Sequence, residues 1–184
     1  MVNTRNLLVV TTLSILILIS YYVFIIKSFY SKVFISIDNW WFGLNKNKNL
    51  MYFFGISATL AAIGFLFFQY YLCFYLEESQ FSSVKKFNKA SDKILTETII
   101  VLVAALLWAP LTYGYLKTKN KWYKVLSSIV LGVTGFASIA IAYFINDLTP
   151  PSTQKTLAII GVLLFSFHTI FVDFGVWNVF MWNK

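Results

Sequence analysis

Three ionisable side chains fall inside long apolar stretches of the chain: Glu97, His168 and Asp173. A charge at the centre of a bilayer costs about 3 kcal/mol even on the lenient insertion scale, so such residues point to proton binding, ion passage or buried hydrogen bonding. Asp173 is the most informative. It sits roughly 6 Å along the helix axis from the middle of its apolar run, too deep for its carboxyl to reach water easily. No lysine or arginine lies within any apolar run, so a proton is the one counter-charge available to it. With Ser166, Thr169 and Trp177 it forms a stripe about 80° wide, which offers it hydroxyl and indole neighbours. That stripe suits a titrating site, and equally a carboxyl that ties two helices together by hydrogen bonds.

His168 belongs to the same run, but at about 100° per residue a five-residue offset turns it about 140° away from Asp173. On an α-helix the two are not expected to pair. His168 shares its face with Gly161, Leu164 and Gly175, where another helix can come close, so it reads as a packing histidine or as a relay. Glu97 lies about one turn into its run, near enough to the end to reach headgroups and to favour the helix N-terminus. Its face continues through Val101, Ala104, Trp108 and Tyr115. Pro110, further along, removes a backbone donor and meets the carbonyl of Leu106, which predicts a kink. The sole histidine and the sole cysteine, Cys73, supply no metal-ligand set, and neither a metal nor a cofactor is expected. Phosphate-binding glycine loops, Gly-x-Ser-x-Gly elbows and His-Glu-x-x-His motifs are also missing, so the chain does not read as an enzyme.

The elements that position these residues are long hydrophobic helices. Of 184 residues, 59% are hydrophobic, 20% aromatic and 12% charged, too little polar surface to cover a water-soluble fold of this size. A bilayer core needs about 20 apolar residues at 1.5 Å rise each. Five runs qualify, approximately Leu7 to Ile26, Leu50 to Leu76, Ile94 to Leu116, Val125 to Ile145 and Thr156 to Trp182. The fold expected is an all-α integral membrane bundle of about five transmembrane helices with short loops, one domain over residues 1–184. Arg5 precedes the first run as in a signal peptide, but the run is long and ends in bulky residues, so it reads as a retained helix. The stretch 31–48 mixes Ile35, Trp40, Trp41 and Phe42 with Asp38 and lysines, and is expected to lie in the interface. Residues 77–93 read as a charged loop, and 117–124 as a tight basic one.

Helix association in lipid depends on close approach at small residues and on buried polar contacts. The fourth run places Ser128, Gly132, Gly135, Ser138 and Ala142 on one arc about 120° wide. The second places Gly55, Ala58, Thr59 and Ala62 on a stripe that continues through Gln69 and Cys73, with Gln69 as polar glue between helices.

The net charge of +8, from 15 basic and 7 acidic residues, is spread over loops and ends. Nucleic acid, which needs basic residues gathered on one face, is therefore not an expected partner; the lipid bilayer, with anionic headgroups, is. With five spans, nine of the lysines share a side with the C-terminus and the first and third loops, against six basic residues on the other. The excess favours that side as cytoplasmic. Three functional readings follow. The first is a small channel or transporter for protons or a simple ion, with Asp173 as the titrating site, Glu97 in a vestibule, His168 as gate or relay, and homo-oligomerisation to complete the pathway. The second is a non-catalytic subunit or scaffold of a larger membrane complex, and the third a binder of an apolar ligand between aromatic-rich helices.

Overall fold

The computed structural model describes residues 15, 19, 42–75, 84–147 and 151–183. These are helical, with no strand among them. Four helices are long and apolar enough to cross a membrane: α1 (Lys48–Phe74), α2 (Val84–Thr118), α3 (Lys121–Asn146) and α4 (Thr153–Trp182). They correspond to the second to fifth runs of the sequence. The first run, Leu7 to Ile26, lies outside the described residues apart from Ile15 and Ile19.

Local chemistry sets the helix ends. The side chains of Asn47, Asn120 and Ser152 accept from the backbone N–H groups of Leu50, Trp122 and Lys155, at 3.1, 3.0 and 3.1 Å. Each satisfies one orphan donor of a first turn. Lys155 Nζ donates to the carbonyl of Asn146 at 2.7 Å, placing a cation at the negative end of the α3 dipole. Between α2 and α3 the chain reverses through Lys119, in the left-handed region at φ 57°, and Asn120. The expected tight basic turn is therefore present. The expected charged loop before α2 is in part a correction: residues 84–93 are helical. Hydropathy marks where an apolar run stops, whereas this segment has lysines and alanine and no Gly or Pro to end a helix.

The row of helices runs α2, α3, α4, α1, with α3 and α4 in the middle. Half of the most apolar stretch of α3 is buried, against 17% for α1 at the edge. The small-residue arc of α3 is the seam with α4, as its spacing predicts. Ser138 receives a hydrogen bond from Ser166 at 2.8 Å, Gly135 faces Thr169 and Ile170, Gly132 faces Phe174, and Ser128 donates to Asn178 at 2.9 Å. The partner numbers fall as those on α3 rise, so the two helices are antiparallel.

The stripe expected on α1 is only in part on the packed face. Its first half is at fault: Gly55, Thr59 and Ala62 are exposed and Ala58 is half-buried, whereas of the continuation Gln69 is buried and Cys73 half-buried. The buried face carries Ser57, Ala61, Gly64, Phe68, Gln69, Tyr71 and Leu72. Small residues occur on both sides of this helix, so their presence alone does not select a face. The crossing with α4 occurs where Gly64 meets Gly161 backbone to backbone. One end of the bundle is closed by residues 42–44; of the stretch expected to lie in the interface, 31–41 lie outside the described residues. Phe42 and Gly43, at φ 51° and 93°, turn the chain so that Phe42 and Leu44 insert among Tyr115, Leu131, Trp177 and Met181.

Candidate functional site

In α4 the α-helix gives way to a π-helix over His168–Trp177, then resumes at Asn178–Trp182. The seam with α3 contains the reason. From Ser128 to Ser138, α3 advances ten residues, and the same two contacts span twelve residues of α4, from Ser166 to Asn178. Both helices cover one length, so α4 must rise less per residue, which a wider coil closed by i→i+5 hydrogen bonds allows.

That coil overturns the expectation that His168 and Asp173 stay apart. Residues five apart stack on a π-turn, and His168 Nε2 lies 3.5 Å from Asp173 Oδ2. On its other side the imidazole meets α1: Nδ1 is 2.9 Å from Ser57 Oγ, and the Phe54 ring packs edge-on at 5.2 Å between centroids. The Ser57 hydroxyl also has the carbonyl of Phe54 in range, at 3.1 Å. A hydroxyl has one proton to give. That proton goes either to the Phe54 carbonyl or to Nδ1; in the first case Nδ1–H donates to Ser57 and Nε2 presents its lone pair towards Asp173, and in the second Nε2 carries the proton that faces Asp173. The imidazole thus bridges a carboxyl on α4 and a hydroxyl on α1.

Ser57 was not legible as a site residue. The sequence presents it as one small residue among several on α1, and the signal that marks it is the crossing at Gly64 and Gly161. Ser57 lies seven residues before the one glycine and His168 seven after the other, so in an antiparallel pair both fall at one height. The close approach expected at Gly161 is therefore present. At Gly175 it is not, since an added Cβ would meet only the carbonyl of Ile170 in its own helix, at 3.3 Å.

The other expected partners of Asp173 are engaged elsewhere. The Thr169 hydroxyl shares its one proton between the carbonyls of Phe165 and Ser166 at 3.0 and 3.2 Å, and that of Ser166 has Ser138 Oγ and the Val162 carbonyl as acceptors, each at 2.8 Å. Trp177 is buried against Phe42 and Trp108, with ring centroids 5.3 and 5.4 Å away. Trp108 and Trp177 thus form an aromatic wall beside Phe42, and neither is placed by a hydrogen bond to the carboxyl.

Glu97 is not brought to the pair. It is half-buried, and it forms no hydrogen bond or ion pair among the described residues. Because α2 begins at Val84, Glu97 lies several turns inside the helix, and the expected stabilisation at a helix N-terminus does not apply. The helix continues through Pro110, which is exposed, without a break. Gln69 is buried, yet its amide nitrogen and oxygen find no hydrogen-bond partner among the described residues, so it does not join helices as expected.

Comparison of the chain with protein-family models, curated proteins and solved structures finds no match.

Proposed function

We propose that the protein is a multi-pass membrane protein that binds and passes protons at the Ser57–His168–Asp173 cluster. The observation that carries this reading is the His168–Asp173 contact on the π-turn. An imidazole can accept a proton at one nitrogen and release one from the other. Here its two nitrogens face different groups on different helices, as a carrier between Asp173 and Ser57 requires. Serine, histidine and aspartate also occur together in hydrolases, but there the hydroxyl gives its proton to the imidazole. In this chain the Ser57 hydroxyl has a second acceptor in range, the Phe54 carbonyl at 3.1 Å, and Ser57 is buried between α1 and α4 with no room for an incoming substrate, which favours proton exchange over nucleophilic attack. The lysine-rich end is placed on the cytoplasmic side, and several copies assemble to complete the pathway.

The test is proton flux into proteoliposomes under an imposed pH gradient. Asp173→Asn and His168→Gln are expected to abolish flux in correctly inserted protein, and Glu97→Gln to retain it. Flux that survives Asp173→Asn would overturn the reading.

A second reading, a non-catalytic subunit of a larger assembly, is favoured by the exposure of Gly55, Thr59 and Ala62 on α1, the least covered helix. It predicts no flux from the protein alone and co-purification with unlike membrane partners.

A further inference from the structure

A groove of about 470 Å³ runs along the outside of the seam between α3 and the C-terminal half of α4. Its walls are Val125, Ile129, Val133, Phe136, Phe174 and Trp182. Gly132 forms the floor: a Cβ there would touch the Phe174 ring at 3.4 Å, so a larger side chain would fill the groove. The volume is within the range of sites for small molecules, about 300–1,000 Å³, but the walls are almost wholly apolar.

Trp182 joins the groove to the basic end of the bundle. Its Nε1 donates to Ser128 Oγ at 3.2 Å, and Lys124 Nζ lies 4.7 Å from its ring centroid. Lys124 is buried, held between Trp182 and Tyr115, with Nζ 5.1 Å from the Tyr115 ring and 3.5 Å from its hydroxyl. No carboxylate among the described residues pairs with it. Lys117, Lys119 and Lys121 lie exposed around the same turn. The first turn of α3 contains no acidic residue, so the lysines there add to the positive end of the helix dipole. This concentration of like charge beside an apolar trough is complementary to one molecule with an anionic head and hydrocarbon tail. A second copy docked on this groove about a two-fold axis would bring the same lysines against these and be repelled, so copies assemble through other faces.

We infer that this groove is a binding site for an anionic phospholipid, its acyl chain lying over Gly132 between Phe136 and Phe174 and its phosphate beside Lys121 and Lys124. The inference rests on the membrane reading above and is independent of proton transfer.

The experiment is native mass spectrometry of the purified full chain, titrated with phosphatidylglycerol or phosphatidylcholine of identical acyl chains. Wild type is expected to bind phosphatidylglycerol about thirtyfold more tightly, as two lysines at a headgroup imply. Lys121→Gln with Lys124→Gln should remove the preference, Lys124→Arg should keep it, and Gly132→Leu should weaken both lipids. Folding of each variant is checked by its helical circular dichroism. Equal binding of both lipids by wild type, or a preference that survives the double substitution, would overturn the inference. So would competition by inorganic phosphate as effective as by the lipid, or a protein dimer that forms in place of the lipid complex.

Discussion

Replacing Gly64 with alanine tests how the crossing of α1 and α4 holds the cluster together. The added Cβ would lie 2.8 Å from the Gly161 Cα and closer still to its carbonyl oxygen. Ordinary carbon contacts are about 3.5–4.0 Å, so the two backbones must part by about 1 Å. Backbone cannot turn aside as a flexible side chain can, and overpacking of this kind costs about 1–3 kcal/mol. The same displacement reaches the site, because Ser57 and His168 lie about 10 Å along the helices from the crossing. Their 2.9 Å contact would stretch beyond hydrogen-bonding distance, which ends near 3.5 Å. Gly64→Ala is therefore expected to lower stability by about 1–3 kcal/mol, read by reversible unfolding in mixed micelles, and to reduce proton flux as far as Ser57→Ala does. Gly55→Ala is the control, since nothing lies within 4 Å of a Cβ there. It should stabilise α1 by about 0.5–1 kcal/mol through helix propensity alone. Equal stability and flux in Gly64→Ala and wild type would refute the argument from close approach.

Three further outcomes are expected. Gln69→Leu should raise stability by about 1–2 kcal/mol in the same unfolding assay, because it removes a buried amide that has no partner among the described residues; a loss would show that the amide is bonded. Ser152→Ala should lower it by about 1 kcal/mol through loss of the α4 cap, with Ser152→Gly costing only a few tenths. Deleting Val176, which leaves the five-residue offset of His168 and Asp173 intact, should favour return of the π-turn to α-helical spacing and so turn His168 about 140° away from Asp173. A disulfide or crosslink placed across those two positions would then form in the full-length chain and fail in the deletion.

The apolar runs located all four described helices, because a span must be long and hydrophobic whatever surrounds it. The arc of Ser128, Gly132, Gly135 and Ser138 was equally legible, since α3 keeps α-helical spacing along its whole seam. Asp173 and His168 were visible as residues whose burial costs free energy. Their pairing was not, because the angular argument assumes 100° per residue, and the two residues by which α4 exceeds α3 become apparent only when the helices stand side by side. Ser57 was hidden by the abundance of small residues on α1, where Gly55, Thr59 and Ala62 suggest the opposite face as readily. Gln69 shows a further limit: a polar residue on a helix signals a hydrogen bond only if a partner stands opposite.

The account depends most on the imidazole bridging Ser57 and Asp173, and the chain has a single histidine. Nitrogen NMR of histidine-labelled protein in lipid bilayers therefore reports on this site without assignment. The prediction is that Ser57→Ala moves the Nδ1 resonance, Asp173→Asn moves the Nε2 resonance, and Glu97→Gln moves neither. Nitrogen signals unchanged by Asp173→Asn would contradict the account.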